Sequence, residues 1–200
     1  MPSTPIEHWD YTINEWNSGT FAPILNSLPT EISVFYDIGA NVGGFSHIIH
    51  QKNPNAQIFT FEPVKSNFEA LEQNLPYATN FNFGIFYGAR ESKALWRGDN
   101  IGAIFVEQID SGEPRIWRDY EKIQLKTLEE LDIPPPEVIK MDIEGAEENV
   151  LEHSGICRKS PWIVLEWHPN TNPFEFFKKH LPNHEIVENV QNCQFLLKLK

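Results

Sequence analysis

The run from Val34 to Ser46, Val-Phe-Tyr-Asp-Ile-Gly-Ala-Asn-Val-Gly-Gly-Phe-Ser, constrains the fold of this chain more than any other stretch. Val34 to Ile38 has the β-branched and aromatic content of a strand buried on both faces, with an acid, Asp37, near its end. Gly39, Gly43 and Gly44 then bend the chain tightly, and Phe45 to His50 resumes at helical spacing. Glycine at 39 and 43 is expected to let a ligand lie against the backbone, while the helix that follows turns free N–H groups toward it. About twenty residues on, Ile58-Phe59-Thr60-Phe61 reads as a second buried strand ending in Glu62-Pro63. An acid there is placed to accept hydrogen bonds from ribose hydroxyls. Asp37, Gly39, Ala40, Asn41, Gly43, Glu62 and Pro63 are therefore the expected frame of a nucleoside pocket.

The details of the turn bear on which nucleoside. A dinucleotide fingerprint reads G-x-G-x-x-G and faces a pyrophosphate, whereas this turn reads Gly39-Ala40-Asn41-Val42-Gly43 with Asp37 just before it. An acid is a poor neighbour for a pyrophosphate and a good one for a cation. S-adenosylmethionine carries an ammonium and a sulfonium, has no phosphate, and still offers a ribose diol to Glu62. The pattern favours that cofactor. A nicotinamide-dependent oxidoreductase, a non-catalytic nucleoside-binding module, and glycines that merely turn a tight corner all stay open on these residues alone.

Composition narrows the partners. A formal charge of −12 and a pI near 5.0 repel nucleic-acid backbones, and no Lys/Arg cluster opposes that repulsion. Cys157 and Cys193 lack metal-ligand spacing, so reduced thiols are expected. The amino terminus has no basic region followed by an apolar core, and no stretch approaches the ~20 apolar residues of a membrane span. A soluble cytoplasmic protein without nucleic-acid or membrane partners is expected, its oligomeric state left open. At 200 residues and 40% hydrophobic content the chain has room for one full core. The expected layout is a single domain over 1–200, with a helical cap over 1–30, a core over 34–168, an irregular excursion over 88–136 and a closing hairpin over 184–199.

Along the chain, Pro63 opens a helix to about Leu75, and Phe81 to Tyr87 reads as a third strand. Between Gly88 and Pro136 short strands around 94–96, 103–106 and 122–125 replace the crossover helix expected in a doubly wound sheet. Long excursions at strand ends commonly carry specificity, which makes Trp96, Arg97, Asp99, Asn100 and Arg115 candidates for acceptor contact. Val138 to Ile143 and Pro161 to His168 are further buried strands, with a helix from about Ala146 to His153 between them and another over 174–181. Strands at 184–190 and 193–199 meet at Gln191-Asn192. Strand ends thus bring Asp37, Glu62, Asp142, Glu166 and His168 to one rim, and in open parallel sheets that rim faces the ligand crevice.

In order and spacing, Asp37-Ile-Gly-Ala-Asn-Val-Gly-Gly-Phe-Ser, Phe61-Glu62-Pro63, Ile139-Lys140-Met141-Asp142-Ile143-Glu144-Gly145-Ala146-Glu147 and Val164-Leu165-Glu166-Trp167-His168 resemble the FkbM-type methyltransferases. The resemblance implies an α/β, Rossmann-like class I methyltransferase: a mostly parallel seven-stranded sheet, helices on both faces and a C-terminal antiparallel hairpin. It also implies S-adenosyl-L-methionine as cofactor and O-methylation of a hydroxyl on a sugar, glycan or other natural product. By position, Asp37, Gly39 and Gly43 would meet the methionine end and Glu62 the ribose. Transfer to a hydroxyl gains from a base that removes its proton, and Asp142, Glu144 and His168 are the candidates. Asp142, Glu166 and His168 could hold a divalent ion if they converge, but their spacing does not demand one, and no metal is assigned.

Overall fold

The computed structural model describes residues 9–10, 13–14, 16–17, 19, 21–97, 100–105 and 117–200. Its centre is strand β1 (Val34–Ile38), whose five residues are all buried. A strand with no exposed face needs helices on both sides, and the buried side chains sort by parity as that requires. Tyr36, Ile38, Phe61, Ile139, Met141, Ile163, Leu165, Phe195 and Leu197 belong to one cluster. Phe35, Ile58, Val138, Val164 and Leu196 belong to another, with Ile24, Leu25, Phe45, Ile48 and Ile49. The second cluster is closed by helices α1 (Ala22–Ser27) and α2 (Gly44–Lys52).

β2 (Gln57–Phe61) leads into helix α3 (Lys65–Asn74) and the short β3 (Thr79–Phe81). After an excursion the chain returns as β8 (Val138–Met141), helices α4 (Glu147–His153) and α5 (Gly155–Lys159), and β9 (Trp162–Glu166). Helix α6 (Pro173–His180) and the hairpin β10 (His184–Val190) and β11 (Gln194–Leu199) follow. The main sheet has seven strands in the order β10-β11-β9-β8-β1-β2-β3. β1 pairs in parallel with β2 and β8, β8 with β9, and β2 with β3, while β11 runs antiparallel to both β9 and β10. This is the expected class I arrangement. The reversed β11 departs from the dinucleotide fold, whose order is 3-2-1-4-5-6. At the hairpin, Gln191 and Asn192 take φ of 55° and 56°, both left-handed as a type I′ turn requires.

The third strand is a correction. Thr79–Phe81 alone joins the main sheet, while Gly84–Ile85 (β4) leaves it to pair in parallel with β7 (Trp117–Lys126). β7 pairs antiparallel with β5 (Glu91–Arg97), and β5 with β6 (Asn100–Phe105), giving a separate four-stranded sheet in the order β4-β7-β5-β6. The apolar run continued through the break, so periodicity could not show that the pairing partner changes. Trp96, Arg97 and Asn100 lie in β5 and β6, and Asp99 and Arg115 lie outside the described residues. Among the described residues, no helix is long and apolar enough to cross a membrane.

Candidate active site

β1 and β8 are neighbours in the sheet although β2, β3 and the whole excursion separate them in sequence, so their carboxyl ends open a crevice at a switch of strand order. Gly39, Ala40, Asn41, Gly43, Glu62, Pro63, Asp142 and Glu144 lie in the segments that leave β1, β2 and β8, Asp37 lies within β1 itself, and His168 lies just beyond the end of β9.

The glycine turn is clamped onto the end of β2. Gly39 and Ala40 N–H both donate to the Phe61 carbonyl, at 2.9 and 3.1 Å, and the Glu62 carboxylate accepts from Asn41 N–H and Val64 N–H, each at 2.9 Å. Gly39 and Gly43 have φ of +80° and +93°, but the reason expected for them is corrected. A Cβ on Gly39 would stand 1.8 Å from the Asp142 carbonyl oxygen, and one on Gly43 would stand 2.7 and 2.8 Å from the side chains of Leu75 and Leu71. These glycines let the turn cross the β8 backbone and seat on α3. The space a side chain would take belongs to the protein rather than to a ligand.

Glu62 is 5% exposed, and burial raises its carboxyl to about 7 against hydrogen bonds from Val64, Asn41 and Asn67 that pull it down. Each of its oxygens accepts one backbone hydrogen bond and keeps further lone-pair capacity. Asn41, at φ +52°, holds a buried Oδ1 with no hydrogen-bond partner among the described residues. Pro63, next in the chain, is half-buried, and Ala40 packs into a cluster with Leu71 and Leu75 that Trp9 and Phe68 flank. Asp37 has no exposed surface. Its Oδ2 accepts from Ser46 Oγ at 2.6 Å and its Oδ1 lies 3.4 Å from Lys140 Nζ, so its contacts lie behind the turn.

Lys140 is a residue that the strand pattern concealed. It is cross-strand from Asp37, is 6% exposed, donates to the Gly39 carbonyl at 2.8 Å and stands 3.3 Å from Asp142 Oδ2. Burial disfavours its charge, but the carboxylates of Asp142, Asp37 and Glu166 prevail and hold the ammonium above its ordinary range. A lysine inside an otherwise apolar four-residue strand was the available signal, because buried lysines need partners.

On the other side of the crevice the turn after β8 carries Glu144 at φ +55°, followed by Gly145 at +108°. A left-handed glutamate is costly by about 1–2 kcal/mol and persists where its surroundings fix it. Glu147 fixes this one. Fully buried, it accepts Ile143 N–H at 3.0 Å and Gly145 N–H at 2.9 Å, and its Oε1 lies 3.0 Å from His168 Nδ1. His168 Nε2 lies 3.5 Å from Glu166 Oε1 and 3.8 Å from Glu144 Oε2. Burial opposes the charge on this imidazole, yet the hydrogen bonds to Glu147 and Glu166 and the charge of Asp142 raise it to about 11. Glu144 is raised to about 7, first by burial and then by Asp142, with His168 pulling the other way. The three residues expected to handle the proton do converge: one ligand atom each of Asp142, Glu144 and His168 lie within 4.8 Å of one another, a spacing that a divalent cation could also bridge.

The sequence profile of the Methyltransferase FkbM domain matches residues 37–197. The hexuronic acid methyltransferase AglP of Haloferax volcanii is 25% identical over 151 residues, which cover 74% of this chain and 61% of that protein. This chain thus spans less than two thirds of its relative's length. A crystal structure of methyltransferase FkbM from Methylobacillus flagellatus KT superposes with a TM-score of 0.56 at 16% identity, covering 98% of this chain and 50% of that one. Precorrin-6y C5,15-methyltransferase from Geobacter metallireducens GS-15 gives 0.52 at 18% identity, covering 90% and 86%. At these identities the structural likeness is one of fold, and it is the class I methyltransferase fold already read from the strand order. The profile match extends from the acid before the glycine turn to the last strand, and by it the chain belongs to the Methyltransferase FkbM domain family, whose members are S-adenosylmethionine-dependent methyltransferases.

Proposed function

We propose that this protein transfers a methyl group from S-adenosylmethionine to a hydroxyl of a sugar, glycan or related small molecule. The observation that carries the cofactor half is the nearly buried carboxylate of Glu62 at the end of β2, hydrogen-bonded to Asn41 N–H, together with the buried Oδ1 of that asparagine, partnerless among the described residues. Both are acceptors, and a ribose diol or an ammonium brings donors. When bound, the cofactor supplies an electrophilic methyl on a sulfonium. The work left to the chain is to orient the acceptor oxygen in line with it and to take the proton.

Acceptor chemistry follows from the rim. Asp142, Glu144 and Glu166 are each about a third exposed there, facing one imidazolium, so the surface favours hydrogen-bonded neutral hydroxyls over anions. AglP, by its name, methylates a hexuronic acid, which supports a sugar acceptor. The test is transfer of label from S-adenosylmethionine to a panel of neutral hexoses, their glycosides and hexuronates. Label on neutral sugars is the expected result. Label on hexuronates alone would overturn the preference for a neutral acceptor, and calorimetry that shows binding of NADH but not of S-adenosylhomocysteine would overturn the cofactor assignment.

Glu62 gives a further expected outcome. The ribose diol donates to the carboxylate, which in the free protein holds its proton up to about pH 7, so cofactor binding expels that proton. S-adenosylhomocysteine affinity should therefore rise with pH up to about 7 and then level. Glu62→Gln should flatten this dependence and weaken binding by roughly one to two powers of ten at pH 8, the cost of a lost charge-assisted hydrogen-bond acceptor. A wild-type affinity independent of pH between 5 and 8, about the range in which such a carboxyl titrates, would remove Glu62 from the ribose.

A further inference from the structure

We propose that Lys140 is a positioning residue which sets the glycine turn for the methionine end of the cofactor by tying the Gly39 carbonyl to the carboxylate of Asp142. The inference rests on the cofactor reading above and goes beyond it, since Lys140 would touch neither cofactor nor acceptor.

The contacts of Lys140 divide in two. Toward the sheet, Nζ faces Asp37 Oδ1 at 3.4 Å, a buried oxygen that has no hydrogen-bond partner among the described residues. Toward the crevice, it donates to the Gly39 carbonyl at 2.8 Å and stands 3.3 Å from Asp142 Oδ2. The first contact is a structural duty, because Asp37 is fully buried and an uncompensated carboxylate there would be costly. The second joins the loop after β1 to the loop after β8 across the switch of strand order, where the two backbones already touch at Gly39 and Asp142. The Gly39–Ala40 peptide is held at its N–H by the Phe61 carbonyl and at its carbonyl by Lys140, so Lys140 completes the pinning of its plane and with it the direction of the turn that continues to Gly43. Glu62 and Asn41, on the β2 side, are held by their own hydrogen bond, and Lys140 reaches them only as a charge that helps pull the Glu62 carboxyl down, an influence that titrating well above the Glu62 range removes. Lys140 should therefore govern one end of the ligand, the amino-acid tail, and leave the nucleoside end alone.

That asymmetry gives the experiment. Lys140→Met alone strands the buried Asp37 charge and so threatens the fold itself, and the comparison is therefore Asp37→Asn against Asp37→Asn with Lys140→Met. Asparagine can still accept from Ser46, and methionine fills the lysine stem without the charge. Calorimetry is run with two ligands, S-adenosylhomocysteine and adenosine, which share the nucleoside and differ in the amino-acid tail. Adding Lys140→Met should lower the affinity for S-adenosylhomocysteine by about tenfold or more, equivalent to one charge-assisted hydrogen bond, and leave adenosine within about twofold. Equal losses for both ligands, or no loss for either, would reduce Lys140 to a structural counter-ion and overturn the proposal. Wild-type protein that binds adenosine but gains nothing from the tail would overturn the cofactor reading together with this inference. The wild-type titration thus separates the two failures.

Discussion

Gly39→Ala should destabilise the fold by roughly 2–5 kcal/mol, the sum of a left-handed backbone that alanine resists and an atom forced into a packed contact. The added methyl would stand 1.8 Å from the Asp142 carbonyl oxygen, and backbone on the far side cannot swing away as a side chain could. For a chain of this size the loss corresponds to a fall in Tm of about 4–20 °C. Two other left-handed glycines calibrate the effect. At Gly43 the obstacles are the methyl ends of Leu71 and Leu75, which can move by rotamer, so the cost should be smaller; at Gly88 nothing among the described residues lies within 4 Å, so only the conformational cost of about 1–2 kcal/mol applies. Denaturant unfolding of the three alanine variants should rank them Gly39, Gly43, Gly88 in decreasing loss. Gly39→Ala with the midpoint of the Gly88 variant would show that the crossing of the β1 and β8 loops gives way easily, and would return Gly39 to the role of clearing space for a ligand.

This ranking bears on what the sequence made legible. Tight turns and close approaches both demand glycine, and a sequence alone cannot say whether the approaching body is a ligand or another loop. Only the register of β1 against β8, set by strands more than a hundred residues apart, decides that at Gly39. The central strands were legible because their apolar runs are short, continuous and punctuated by glycine or proline. The switch of partner at Gly84 was not, because a strand leaving one sheet for another keeps the same side-chain pattern. The polar groups at the site divide in the same way. Asp142, Glu144, Glu62 and His168 sit at the ends of strands, where topology points outward. Lys140 lies inside a buried strand and Glu147 at the start of the helix that follows, and their roles emerged only through their partners: Gly39, Asp37 and Asp142 for the lysine, and Ile143, Gly145 and His168 for the glutamate.

Those partners also decide which group on the rim can receive a proton from the acceptor. A base must be unprotonated at working pH yet basic enough to attract the proton, which places the most effective value near 7. His168, raised to about 11 by Glu147, Glu166 and Asp142, holds its proton throughout the physiological range and so serves as a donor and a fixed positive charge. Glu144, raised to about 7 by burial and by Asp142, stands where a base should. We therefore expect Glu144→Gln to lower turnover by about 100- to 10,000-fold, the range for loss of a general base, with S-adenosylhomocysteine affinity little changed. Wild-type turnover should rise with pH through about 7 as Glu144 loses its proton, and that limb should vanish in Glu144→Gln. His168→Gln removes the positive charge that favours the Glu144 carboxylate, so its acid limb should move to higher pH, with activity recovered in alkaline buffer. Both variants are read with whichever acceptor the sugar panel identifies, across buffers spanning the limb. The opposite hierarchy, with His168→Gln inactive at every pH and Glu144→Gln near wild type, would assign the proton to the imidazole and require that substrate binding strip it of the carboxylates that now hold it charged.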